Sequence, residues 1–219
     1  MKKVILFDID YTLFNSLKFR KRILSEIKKH LKDDKYKNVE KVLDRIYFKS
    51  RKKIGYFDPG SFISDVNKKF DSNIPIAFLD IYVKKEELHE HLYEEVEEIL
   101  KKIYQDKNLT IGIFSGGDKN FQREKIKKIL NFFHENHIHI FPYKIKELKP
   151  VLEKYKDYRV FLIDDVLPIL YEAKQIDKNV YTIWIKRGRF AFFEKEVKNF
   201  TPDAEIKNLN KIVSIVKNN

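Results

Sequence analysis

The residues of this chain that could do chemistry fall directly behind its apolar runs. VILF (4–7) is followed by Asp8-Ile9-Asp10-Tyr11-Thr12, LTIGIF (109–114) by Ser115-Gly116-Gly117, and VFLI (160–163) by Asp164-Asp165. Lys144, Lys146 and Lys149 lie between the last two. Acids are poor strand residues, so a pair of them behind a run that reads as a buried strand calls for a reason. The 219 residues contain no Cys. Disulfides, thiolate metal sites and thiolate nucleophiles are therefore excluded, and any chemistry must come from carboxylates, hydroxyls, Lys or His. Singly, each piece has a plain structural reading: an acid pair caps a turn or helix, Ser-Gly-Gly turns the chain, and a loop Lys is solvated. What singles them out is their shared place, because an open parallel sheet binds ligands beyond the carboxyl ends of its strands.

The elements that must position these residues alternate along the chain. VILF, LTIGIF, IHIF (138–141), VFLI and YTIWI (181–185) are short, apolar and rich in β-branched and aromatic residues, with helix-like sequence between them. That alternation predicts an α/β fold, a Rossmann-like parallel sheet with helices on both faces. The segment 86–104 places Leu88, Leu92, Val96, Leu100 and Ile103 on one face, with Glu early and Lys late, and is expected to be a single helix. The stretch 120–133 is expected to be another. Between Leu17 and Lys85 strand signals vanish, and amphipathic stretches at 18–31, 38–52 and 61–70 are joined by the turn-rich DDKYKN and YFDPG. An α-helical cap domain is expected at 16–88, with the core formed by 1–15 and 89–219. The closing DAEIKNLNKIVSIV reads as a short edge strand and a final helix.

The formal charge is +12, yet Lys is spread through nearly every segment and much of it faces Glu on helix surfaces. A solvated surface is the expected reading, with nucleic acid not expected as partner. No apolar run approaches the roughly 18 to 20 residues of a membrane span, and the opening MKKVILFDID meets an acid too soon for a signal peptide. No membrane is expected, and the protein is expected to be cytoplasmic. Three histidines, His134, His137 and His139, cluster in FFHENHIHIF and invite a zinc reading, but no acid or further ligand is visibly arranged with them. KRGRF (186–190) reads either as an anion-contacting loop or as a solvated turn.

The order DIDYT, FSGG, Lys, IDD resembles the four motifs of the haloacid dehalogenase superfamily, whose members are mostly Mg²⁺-dependent phosphatases. The resemblance covers nearly the whole chain outside the insertion and implies Asp8 at the centre of the sheet. It implies that Asp8 and Asp164 hold Mg²⁺ through carboxylates, Asp10 through its backbone carbonyl, and Asp165 directly or through water. It also implies that Ser115 bonds a phosphoryl oxygen and that N–H groups around Gly116 and Ile9 cradle it, while a Lys pairs with Asp8. Lys146 precedes the following helix most naturally given Pro150, with Lys144 nearly as good and Lys149 third. The chemistry agrees: phosphoryl transfer needs an in-line nucleophile, charge neutralisation and a proton for the leaving oxygen. Asp8 suits the nucleophile and Asp10 the acid and base. Converging carboxylates would repel one another without a cation, and Mg²⁺ prefers hard oxygen ligands.

The expected function is hydrolysis of a small phosphorylated metabolite. A phosphomutase of the same superfamily and a nucleic-acid-binding factor on the same scaffold are the alternatives. Dehalogenases lack the second acid, because a halide leaves without a proton, so Asp10 argues against that branch. Tyr11 departs from the family pattern, standing where a small or polar residue is frequent.

Overall fold

The computed structural model of the chain describes residues 2–31, 38–54, 57–79, 88–188 and 197–219. Strands β1 (Lys2–Phe7), β2 (Leu109–Gly116), β3 (Ile138–Phe141), β4 (Tyr158–Asp164), β5 (Tyr181–Ile185) and β6 (Ala204–Ile206) form one sheet in the order β3-β2-β1-β4-β5-β6. Every neighbouring pair is parallel. The chain builds outward from β1 to β3, then returns past β1 to β4 and builds the other way. The order therefore reverses between β1 and β4, where a crevice opens at the carboxyl edge.

The helices are α1 (Ser16–Lys29), α2 (Val39–Ile54), α3 (Pro59–Phe70), α4 (Val96–Tyr104), α5 (Lys119–Lys125), α6 (Leu148–Lys154), α7 (Leu167–Ile176) and α8 (Ile212–Asn218). Ile5 and Phe7 of β1 and Phe161 and Ile163 of β4 face one apolar cluster with α4 and α8. Val4, Leu6, Val160 and Leu162 face the other, with α6 and α7. This is the period of two that a strand covered on both faces requires. No helix among the described residues is long and apolar enough to cross a membrane.

The amphipathic stretches between β1 and β2 are helical, as expected. Asn15 caps α1 by accepting the Lys18 N–H, and Asp58 caps α3 by accepting that of Ser61, with Pro59 at the first helical position. Each helix buries one face, Phe19, Ile23 and Ile27 from α1 and Phe62, Ile63 and Val66 from α3. At roughly 1.5–3 kcal/mol per fully buried large side chain, that burial outweighs anything helix propensity supplies. Phe121 of α5 lies 6.1 Å from Phe19 and 5.8 Å from Phe57, centroid to centroid, so this packing runs on into the sheet side.

Two expected helices are interrupted. In 86–104, residues 86 and 87 lie outside the described residues; Leu88–His91 is a 3₁₀ turn, and α4 begins only at Val96. Between them Leu92 bridges Phe14 antiparallel, the Asn15 N–H donates to the His91 carbonyl at 2.7 Å, and the Tyr93 N–H to that of Leu13 at 3.0 Å. Backbone groups committed to that pairing cannot also serve a helix. In 120–133, α5 stops at Lys125 and a 3₁₀ helix covers Lys127–Phe132. There the buried Ile126 and Ile129 are three apart, the 3₁₀ repeat.

In the described part of the loop after β5, residues 186–188, the solvated-turn reading does not hold at Arg187. Arg187 is 8% exposed and donates to the carbonyls of Thr12 and Lys207, both at 3.0 Å. It lies 3.8 Å over the Tyr93 ring and pairs with Glu95, which also accepts the Leu209 N–H. Burial alone would raise the Glu95 carboxyl; the hydrogen bonds from Arg187 and Leu209 outweigh it and hold the group below its ordinary 4.5. A depressed acid contributes stability above its unfolded pKa and loses it as pH falls through the folded value. Glu95→Gln is therefore expected to cost about 1–3 kcal/mol at neutral pH, with the gap to the parent protein narrowing below pH 4.5. Denaturant unfolding at several pH values measures it, and a pH-independent gap would contradict the assignment.

Candidate active site

Asp8 is the first residue past β1, 4% exposed, with its N–H bonded to the Ile163 carbonyl at 3.0 Å. The chain then coils around one acceptor: the Ile9 carbonyl takes the N–H groups of Thr12, Leu13 and Phe14 at 3.3, 3.0 and 2.9 Å. The coil demands a left-handed Tyr11, φ 59°, whose ring lies against Gly188, φ 67°. A Cβ on Gly188 would overlap that ring, so glycine is required there both for its conformation and for its bareness. The unusual Tyr11 is thus packed under the loop that carries Arg187.

At the end of the adjacent β4, Asp164 is fully buried and accepts the Val166 N–H at 2.9 Å. Asp165 is 2% exposed and its carbonyl accepts the Trp184 indole N–H at 3.0 Å. One oxygen each from Asp8, Asp164 and Asp165 lie within 4.8 Å of one another. Three hard oxygen donors at that spacing fit a divalent cation such as Mg²⁺ or Mn²⁺. Lys144 bridges the group, its ammonium 2.6 Å from Asp8 Oδ1 and 2.5 Å from Asp164 Oδ2. Burial raises the Asp8 carboxyl; Lys144 opposes it, the charges of Asp164 and Asp10 reinforce it, and the result is about 6. Burial alone would lower Lys144, but its two carboxylate partners outweigh that and hold it above the ordinary lysine range.

Asp10 stands apart, its side chain 25% exposed and held by different donors. Lys125 donates to its Oδ1 at 2.8 Å and its Oδ2 at 3.0 Å, Gln122 to its Oδ2 at 2.8 Å, and Ser16 to its Oδ1. The same Gln122 amide reaches Ser115 Oγ at 3.3 Å and the Gly116 carbonyl at 2.6 Å. It does so because Asp118 caps α5 through the Phe121 N–H, and because Gly117, φ 135°, leaves the Gln122 side chain room that a Cβ would take.

Of the residues singled out in the sequence, Asp8, Asp164, Asp165 and Lys144 converge, Asp10, Ser115 and Gly116 meet through Gln122, and Ile9 anchors the coil. The order of the lysines is corrected. Lys146 is exposed, resting 5.4 Å from the Tyr143 ring, and Lys149 pairs with Glu153 at 4.0 Å. Counting back from Pro150 located the start of α6, but a 3₁₀ turn, Lys144–Glu147, precedes it and carries the helical path back to Lys144. Ser16, Gln122 and Lys125 were not singled out. The signal for the last two was two polar residues inside the apolar stripe of Phe121, Ile126 and Ile129. The histidines do not form a ligand set: His137 and His139 share the Tyr155 hydroxyl at 2.9 and 2.8 Å, and burial lowers both, His139 to about 4.

Comparison with known proteins agrees in family and fold. Residues 2–157 match the family of haloacid dehalogenase-like hydrolases. No curated protein matches the chain in sequence. Among solved structures, one described as a haloacid dehalogenase-like hydrolase from Burkholderia xenovorans LB400 is similar with a TM-score of 0.80 and 20% identity, over 99% of this chain and 97% of the other. The HAD-hydrolase YfnB from Bacillus subtilis, bound to magnesium, gives 0.67 and 16%, over 98% of each. The L-2-haloacid dehalogenase from Xanthobacter autotrophicus with chloropropionic acid covalently bound gives 0.68 and 12%, over 99% of each. At these identities the likeness is one of fold.

The contrast between the two lysines is measurable without any substrate. In metal-free buffer at pH 8, Lys144→Met leaves buried carboxylates uncompensated and is expected to cost about 3–5 kcal/mol, whereas exposed Lys146→Met should stay within about 0.5 kcal/mol. Because Asp8 already titrates near 6, and rises further without the ammonium, the Lys144→Met loss should shrink toward pH 5, where protons can neutralise the acids. Equal losses for the two variants would contradict the geometry.

Proposed function

Because this chain belongs to the haloacid dehalogenase-like hydrolases, we propose that it is a Mg²⁺-dependent phosphatase hydrolysing a small phosphomonoester through an aspartyl-phosphate on Asp8. The observation that carries this reading is the second carboxylate. Asp10 is kept beside Asp8, close enough to raise its pKa, yet on donors of its own. A halide leaves without a proton, whereas the alkoxide of a phosphoester needs one, and Asp10 is placed to give it.

In this reading Asp10 enters the cycle as the carboxylic acid: an Asp8 oxygen attacks phosphorus, the ester P–O bond breaks, and the leaving oxygen takes the proton of Asp10, which becomes the carboxylate. Water then attacks the acyl phosphate and gives its proton to Asp10, releasing phosphate and the free Asp8 carboxylate. Ser115 and the N–H groups near Ile9 and Gly116 receive phosphoryl oxygens, and Lys144 holds the Asp8 carboxylate in place. Asp8, Asp164 and Asp165 would hold Mg²⁺ by carboxylate oxygens, with Asp10 contributing its backbone carbonyl. The ion supplies neutralisation of the phosphoryl charge and of the acids that face it. The helices α1–α3 serve as a cap that shields the site from water. Magnesium bound to the Bacillus neighbour and chloropropionic acid bound covalently in the Xanthobacter neighbour are consistent with a cation site and a covalent step.

A panel of phosphorylated metabolites assayed with Mg²⁺ and with EDTA tests the proposal. Hydrolysis is expected to stop in chelator and return with Mg²⁺ or Mn²⁺. Asp8→Asn, which keeps the volume and removes the nucleophile, is expected to lower turnover by about a thousandfold or more. Retention of more than about a tenth of the activity in that variant, or full activity in chelator, would sink it.

A further inference from the structure

We infer that Lys125, seconded by Gln122, is the positioning residue for Asp10, holding the carboxylate in the orientation in which it takes a proton from the attacking water and, once protonated, gives one to the leaving group. The inference rests on the phosphatase reading above and adds to it two residues on α5.

The carboxylate of an Asp turns about a soft χ2, whose preferences are broad. Proton transfer needs one oxygen within about 2.6–3.2 Å of the leaving atom, and a misplacement near 1 Å costs about a hundredfold. Asp10 therefore needs an external restraint, and Lys125 is built as one. Its ammonium reaches both carboxylate oxygens, at 2.8 and 3.0 Å, and so sets the plane of the group. Gln122, one turn earlier on the same face of α5, adds a donor to Oδ2 at 2.8 Å. The Lys125 side chain is itself immobilised: the residue is 5% exposed, with its ammonium 5.3 Å from the Phe14 ring and 4.9 Å from the Phe121 ring.

Stability alone does not account for this arrangement. A buried lysine–carboxylate pair is often no more stabilising than apolar residues of the same volume, and a methionine would fit between two phenyl rings. The pair is also separate from the one that orders Asp8. Lys144 bonds Asp8 and Asp164, while Lys125 bonds Asp10, so each acid given a different step has a different lysine. Gln122 further ties Asp10 to Ser115 and Gly116, which locates the proton donor relative to the residues that receive the phosphoryl group.

The discriminating measurement compares leaving groups. p-Nitrophenolate departs without a proton, whereas an alkoxide does not. With p-nitrophenyl phosphate, Lys125→Met is expected to release a first equivalent of nitrophenolate within about threefold of the parent rate and then turn over slowly, because water attack still needs Asp10 as base. With an alkyl phosphomonoester the same variant is expected to lose about a hundredfold or more in kcat with no burst. Lys125→Arg, which keeps a charged two-pronged donor, should recover part of the loss. Lys125→Gln, which keeps a donor but not the charge, should show the same pattern more weakly, and it carries the test alone if Lys125→Met does not fold. Equal losses on both substrates without a burst, or no loss on either, would overturn the inference while leaving the phosphatase reading intact. A parent protein that hydrolyses neither substrate with Mg²⁺ would overturn both.

Discussion

Lys144 reaches across from the loop after β3 to sit between the carboxylates of Asp8 and Asp164, and most of the site depends on that bridge. Asp8, Asp10, Asp164 and Asp165 leave two neighbouring strands at the same edge, where the sheet's order reverses. Burial raises the Asp8 carboxyl first, and the nearby charges of Asp164 and Asp10 add to it. Among the described residues two buried ammonium groups, from Lys144 and Lys125, pair with Asp8, Asp164 and Asp10. The elements that bring the lysines in, the turn after β3 and α5 after β2, are therefore as much part of the site as the strands that bring in the acids.

The sheet was legible in the sequence because its strands are buried on both faces. VILF and VFLI are continuous apolar runs for that reason, and the acids behind them mark where burial ends. The insertion helices were legible from their one-sided apolar faces and from the turn-rich joints, DDKYKN and YFDPG, between them. The interruption near Leu92 was not. The periodicity of 86–104 is sound for a helix, and it is overridden by a pairing with residues 13–15, far off in sequence, that no local pattern announces.

The same division holds in the site. Asp8, Asp10, Ser115, Asp164 and Asp165 lie at or just past the ends of strands, so the end of a strand reveals them. A lysine on a loop has a long, flexible stem, and its destination depends on one helical turn more or less, as the exchange of Lys146 for Lys144 illustrates. Gln122 and Lys125 lie inside an amphipathic stretch, where polar residues on a buried face read as noise until a partner, here Asp10, is seen beside them. Ser16 reads only as the start of a helix, although its hydroxyl meets the same acid.

The antiparallel contact between residues 13–15 and 91–93 brings together the two points at which the chain leaves the sheet for α1–α3 and returns to it. When the ends of an insertion are already fixed side by side, lengthening or replacing what lies between them costs little, since loop closure grows only as the logarithm of length. The sheet and its acids can thus be inherited unchanged while the helices above them are exchanged. The edge at Asn15 and Tyr93, with Ser16 kept on its sheet side for the bond to Asp10, is a natural seam for recombination.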